Sequence, residues 1–357
     1  MTGHRRPGRP ALVGVAVALA AAVLGGCRAG PAPSPDGTAP RPDGSTSPGA
    51  SVVVPDEELT HGLLVLAGRV GDTRLELIGP SDATRSLAAP DRAVAWVSAG
   101  GDGRILATTL DGRALLSDPV LAGRDPAWHP LVPTGFDLER LAGPLAFGTL
   151  SPDGRRAAFI AADFAAAGPF DVVLVDAVSG AGGATRIRLA PEGAPPAWFG
   201  DRLVVLARER ADEVGALVVD PVSGAFAQGP GPIGGPRPPG LSGWIDPIAG
   251  LSIAADGTAL AVASRLDGRV EVDAAGPWLA RATTTPAPVT LDPEADGSTT
   301  FAWLALSPLG DRLAIVRTDL DGESVAVTVH DRSAGWREVR RIPLPVGADR
   351  AVAAWLP

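Results

Sequence analysis

An all-β fold, a closed six-bladed β-propeller, is what this sequence predicts, and three observations predict it. A strand-like run, a short polar turn and an apolar run recur roughly every fifty residues. Repeats of this period built from short strands mean one unit copied around an axis or along a line. The turn keeps its chemistry in Leu150-Ser-Pro-Asp-Gly154, Trp198-Phe-Gly-Asp201, Ile253-Ala-Ala-Asp-Gly257 and Leu306-Ser-Pro-Leu-Gly310, with a weaker copy at Trp96 to Gly103. The two ends are also incomplete in complementary ways. Arg350 to Leu356 supplies a first strand with nothing after it, while the region from Gly62 supplies three strands with no first.

The clearest copy sets the register for the others. Leu145 to Leu150 reads as a first strand, Arg156 to Ala162 as the second, Asp171 to Asp176 as the third and Ala184 to Leu189 as the fourth. Val172 to Val175 is continuously apolar, as expected of a strand packed on both faces. The third strands end in Asp176-Ala-Val-Ser-Gly180, Asp220-Pro-Val-Ser-Gly224 and Asp331-Arg-Ser-Ala-Gly335. Asp accepts hydrogen bonds from the backbone two residues on, and Gly supplies the positive φ that closes the turn. These aspartates, with Asp153, Asp201, Asp256 and Asp311 in the first turns, therefore read as turn caps rather than catalytic groups.

The first blade is expected to hold Leu63 to Gly68, Thr73 to Ile78 and Thr84 to Ala89, completed by the C-terminal strand. Pairing the C-terminal strand with the N-terminal blade closes the ring and removes both exposed edges, which an open solenoid would leave bare.

The Ser-Pro-Asp-Gly turn and the apolar strand after it resemble the repeat of TolB-like propellers. The Asp-x-x-Ser-Gly endings resemble those of WD40-like repeats. The resemblance spans about residues 60–357 and implies the fold while leaving the function open.

The ring is preceded by two segments of different character. His4, Arg5, Arg6 and Arg9 form a basic start, and Ala11 to Gly26 then runs sixteen residues without a charge. At 1.5 Å per residue that helix reaches roughly 24 Å, short of the ~30 Å hydrocarbon core, so residues 1–26 read as a signal peptide. Leu24-Gly25-Gly26-Cys27 resembles the lipobox of bacterial lipoproteins. That resemblance implies cleavage before Cys27 and lipidation of its thiol, and Cys27 is the one cysteine in the chain. Residues 27–58 are rich in Pro, Gly and Ser and read as a disordered, lipid-anchored tether to the propeller at 59–357. The expected location is the extracytoplasmic face of the cell membrane, with the lipid as membrane partner.

Composition excludes several functions. The net charge is −9, and residues 1–26 carry arginines but no acid, so the mature chain is more acidic still. Such a chain is a poor binder of nucleic acid, and Arg337, Arg340 and Arg341 read as one solvated strand face. Lys, Asn and Tyr are absent, which points to a GC-rich, actinobacterial genome and removes Schiff-base and P-loop chemistry. His61, His129 and His330 have no metal-ligand spacing, and no G-x-S-x-G elbow occurs. The acidic stretches Asp292 to Gly297 and Asp319 to Glu323 read as polar turns, because the position-twelve carboxylate of a calcium loop is missing from the first. No metal, cofactor or catalytic residue is expected.

The remaining signal is loop length. Pro119 to Gly143, Gln228 to Gly243 and Gly276 to Thr300 are enlarged connections, expected between a fourth strand and the next blade. They place Trp128, His129, Trp244, Asp246, Trp278 and Arg281 on one face. Second-to-third connections add Arg208 and Arg210 there. Trp and Arg are enriched where partners bind tightly, so the expectation is a monomeric, non-enzymatic propeller that binds a protein or envelope partner. Two alternatives are a carbohydrate-active or other hydrolytic propeller with carboxylates at the channel mouth, and a small-ligand sensor with an apolar channel.

Overall fold

A computed structural model describes residues 59, 61–69, 72–80, 83–166, 168–210, 213–228, 248–255, 259–264, 270–272, 289–291, 299–319 and 323–357. Blade one takes β1 (Gly62–Arg69), β2 (Asp72–Ile78) and β3 (Thr84–Leu87) from the start of the ring. Blade two is β4 (Val94–Ala99), β5 (Ile105–Thr109), β6 (Ala114–Ser117) and β7 (Trp128–Leu131). Blade three is β8 (Leu145–Leu150), β9 (Arg156–Ala161), β10 (Phe170–Asp176) and β11 (Gly182–Ile187). Blade four is β12 (Ala190–Pro191), β13 (Ala197–Phe199), β14 (Arg202–Arg210), β15 (Glu213–Val219) and β16 (Phe226–Gln228). Blade five is β17 (Ile248–Ile253), β18 (Leu260–Ser264), β19 (Val270–Val272) and β20 (Val289–Leu291). Blade six is β21 (Thr299–Leu306), β22 (Arg312–Asp319), β23 (Ser324–Asp331) and β24 (Arg337–Ala348).

The last strand, β25 (Arg350–Leu356), returns to blade one and pairs antiparallel with β1 from Gly62↔Leu356 to Gly68↔Arg350. The sheet order β25-β1-β2-β3 is the predicted closure. Packing confirms that the ring is shut. Apolar clusters fill each gap between neighbouring blades, including Leu63, Val65 and Ala67 of β1 against Ala314 and Val316 of β22. In β10, Val172 and Leu174 face blade four, whereas Val173 and Val175 face blade two. Alternate residues of a strand point to opposite sides, so one apolar run serves two interfaces.

The turn aspartates act as the sequence suggests. Asp176 Oδ1 accepts from the amides of Val178 (3.0 Å) and Ser179 (2.7 Å), and Asp220 Oδ1 accepts from Val222 and Ser223 (both 2.9 Å). These bonds hold both carboxyls below the usual carboxylate range. Gly180 and Gly224 close the two turns at φ 72° and 68°.

Two features depart from the expected organisation. Blade four has a broken first strand, because β12 and β13 both pair with β14. Pro195 and Pro196 lie in the gap and have no N–H to offer a ladder. The stretches Pro119 to Gly143 and Gly276 to Thr300 are not long fourth-strand-to-blade loops, since they contain the outer strands β7 and β20. The first part of each joins a third strand to a fourth, β6 to β7 and β19 to β20, and so belongs to the opposite face of the ring.

His330 fills the gap near blade five rather than a site. Its Nδ1 lies 3.1 Å from the carbonyl of Trp336, and its Nε2 lies 3.2 Å from Thr328 Oγ1. Burial pushes its pKa below the ordinary value, so the fold holds it neutral. Its contribution is therefore present above about pH 6.5, the unfolded value, and is lost as pH falls. Urea unfolding at pH 7 and pH 5 should show a loss of stability for the native chain that is smaller in His330→Gln.

Candidate functional site

The channel is built by the inner strands, and bulges decide what points into it. Register shifts occur in β4 between Val94 and Trp96, in β8 between Ala146 and Thr149, in β17 between Ile248 and Gly250, and in β21 between Phe301 and Trp303. A bulge bends its strand and re-aims a side chain. In β8 it puts Phe147 at φ 53°, a region that bulky residues avoid and that costs on the order of 1–3 kcal/mol. The next residue must be glycine. A Cβ on Gly148 would sit 2.4 Å from Thr108 Oγ1 and 2.7 Å from Phe159, and the Gly148 amide donates to that same hydroxyl at 3.0 Å.

The result is an aromatic plug across the axis. The Phe147 and Trp303 rings come from diametrically opposed blades and meet at 5.8 Å between centroids. Trp96 stands edge-on to both, at 5.6 Å from Phe147 and 4.8 Å from Trp303. Phe164, from the connection between β9 and β10, packs on Phe147 at 5.6 Å.

Beyond the plug, toward the first-to-second turns, lies a cavity of about 180 Å³ to which all six blades contribute. Its wall includes Trp96, Trp198, Trp355, Pro152, Pro195 and Pro308. No ionisable side chain lines it among the described residues. Hydrogen bonds about one repeat apart fix the wall. Trp198 Nε1 donates to the Thr149 carbonyl at 3.4 Å, and Trp355 Nε1 to the Ala305 carbonyl at 2.8 Å. Ser98 Oγ accepts from the Leu150 amide at 3.1 Å, and Ser252 Oγ from the Leu306 amide at 2.9 Å. A serine link (blades two to three, five to six) is followed by a tryptophan link (three to four, six to one), so these contacts repeat in the two three-blade halves of the ring.

The residues singled out from sequence are not all brought together. Trp128 opens β7 and is partly buried, its indole donating to the Ala88 carbonyl of blade one at 2.8 Å. His129 follows it, exposed, with Nε2 3.2 Å from Asp118. Arg208 lies near the other end of its blade, where its Nε and Nη2 reach Glu192 Oε2 at 3.0 and 2.6 Å. Glu192 is only 1% exposed, so Arg208 is committed to neutralising it. Arg210 ends β14 opposite Glu213. By strand order, Trp128 and His129 sit on the side of the first-to-second turns and Arg208 and Arg210 on the opposite side. The expected single cluster is therefore divided. Leu24, Gly25, Gly26, Cys27, Trp244, Asp246, Trp278 and Arg281 lie outside the described residues.

Sequence reasoning named an apolar channel only as an alternative and missed Phe147 and Phe164. The pair Phe147-Gly148 inside an otherwise apolar strand was the available sign, because an isolated strand glycine marks a bulge. No group of three His, Cys, Asp or Glu side chains converges among the described residues.

No protein-family model matches the chain, and no curated protein matches it in sequence. Solved structures share its fold. TolB from Acinetobacter baumannii superposes with a TM-score of 0.52 at 14% identity, over 83% of this chain and 67% of that one. A chain of the nidogen/laminin complex gives a TM-score of 0.52 at 12% identity, over 83% of this chain and 99% of that one. The class is therefore that of six-bladed β-propellers, and at these identities the likeness to TolB and to the nidogen/laminin chain is one of fold.

Proposed function

We propose that this protein is a non-enzymatic binding scaffold, held by a lipid on Cys27 at the extracytoplasmic face of the cell membrane. Its ring recognises a protein or envelope partner through the face that carries the first-to-second and third-to-fourth turns. The observation that carries this reading is the exposure of apolar side chains at turn tips. Val178 and Val222 occupy the same position in neighbouring blades and are 79% and 81% exposed, and Leu309 is 72% exposed in blade six. These turns need their Asp, Ser and Gly, but blade six places Ser333 at the valine position. Folding does not require the valines, so these apolar tips, all on one face of the ring, are left available to a partner. A protein partner is in keeping with the nidogen/laminin structure, a propeller found in a complex.

Hydrolysis is the weaker reading. A glycosidase needs two carboxyls roughly 5–9.5 Å apart across its substrate, and no carboxylate side chain lines the cavity among the described residues.

Two measurements test the proposal. Cys27→Ser should move the protein from the membrane to the soluble fraction and abolish labelling by a palmitate analogue. Retention of both in the variant would refute the anchor. For the face, Val178→Asp, Val222→Asp and Leu309→Asp together should abolish capture of membrane partners while changing stability by no more than about 0.5 kcal/mol per site. Capture by the triple variant at the level of the native protein would refute the assignment of this face.

A further inference from the structure

We propose that the central channel holds a binding site for a free, uncharged, ring-sized molecule, with Trp96 in its wall backed by the Phe147 and Trp303 rings. This goes beyond partner recognition at the turn tips and does not depend on it.

Four observations converge. The cavity holds about 180 Å³, and an apolar cavity of about 150 Å³ in another protein stays dry and takes up benzene. Its lining among the described residues contains no Asp, Glu, Arg or His. An anion entering it would lose hydration without gaining a counter-charge. The indole N–H groups of Trp198 and Trp355 are already spent on neighbouring blades, so these side chains have only ring surface to offer. The wall is also braced at a cost. Phe147, which packs edge-on against the lining ring of Trp96, is strained at φ 53° and the bulge demands glycine at 148, and strain of this kind persists where the placement of a side chain matters.

The polar groups on lining residues add a finer preference. Trp96 Nε1 and Thr149 Oγ1 are buried and have no partner in the protein. A ring bearing one hydroxyl or carbonyl suits this lining better than a bare hydrocarbon. The geometry thus selects small neutral aromatic or alicyclic alcohols and ketones over acids.

The test uses two fluorinated probes of nearly equal size, 4-fluorobenzyl alcohol and 4-fluorobenzoate, titrated against the folded ring and followed by ¹⁹F NMR. The alcohol should bind saturably and at least tenfold more tightly than the carboxylate. Filling the cavity through its partly buried lining alanines, with Ala99→Leu and Ala255→Leu, should remove alcohol binding. Intermolecular NOEs on the unmodified protein, from the alcohol to the Trp198 and Trp355 rings, should locate it even if the filled variant does not fold. Equal binding of the two probes, unaltered binding by a folded filled variant, or NOEs only to residues outside the channel would overturn the proposal.

Discussion

A chain ending at Asp349 is expected to lose its cooperative thermal transition. The missing segment is β25, which supplies Ala351, Val352, Ala353, Ala354 and Leu356, all buried. Val352 and Leu356 pack between blades one and two, whereas Ala351 and Ala353 pack between blades six and one. Removing the strand therefore opens two interfaces at once and exposes the edge of β1. Burial of Val352 and Leu356 alone is worth about 3–6 kcal/mol. That is a large part of the 5–15 kcal/mol that holds a typical domain together. Differential scanning calorimetry is the direct check, and a synthetic peptide covering Arg350 to Pro357 should restore part of the transition. A truncated chain that melts as the full chain does would mean that the terminal strand merely decorates the ring.

The second large effect is expected at blade four. Arg208→Ala should destabilise the protein by about 3 kcal/mol, because it leaves the Glu192 carboxylate buried without its guanidinium. The guanidinium is itself about a third exposed (32%), so water softens the loss. Combining Arg208→Met with Glu192→Gln should recover most of the stability, since a neutral pair of similar volume has no charge to compensate. Urea denaturation of the single and double variants decides the matter. A double variant as unstable as Arg208→Ala would show that the packing of Arg208, and not its charge, is what counts.

The fold was legible in the sequence where local chemistry repeats. Val172 to Val175 is buried on both sides, and Asp176 and Asp220 cap the turns that their Ser and Gly partners announce. The closure was legible as well, because a missing first strand at one end and a solitary one at the other have one joint solution. The boundaries agree closely in blade three, apart from an outer strand that begins at Gly182 instead of Ala184.

The site was far less legible, for a physical reason. Phe147 and Trp303 meet on the axis although 156 positions separate them, and nothing local in either strand marks the other as its partner. Trp128 looked unconstrained within a long polar stretch, yet its indole is tied to blade one by a single hydrogen bond to Ala88. Arg208 read as a surface charge because its partner, Glu192, lies in a proline-flanked break that has no strand pattern. Local periodicity encodes the blades, while the channel is encoded only by how the blades meet.

The claim on which the rest depends is that the ring is closed by its own ends, and native-state hydrogen exchange of the β25 and β1 amides tests it most directly. Closure predicts that the amides pairing these two strands exchange only with global unfolding, as slowly as those of β9 and β10. Exchange in the β25 amides at the rate of a frayed terminus, with β9 and β10 still protected, would contradict it.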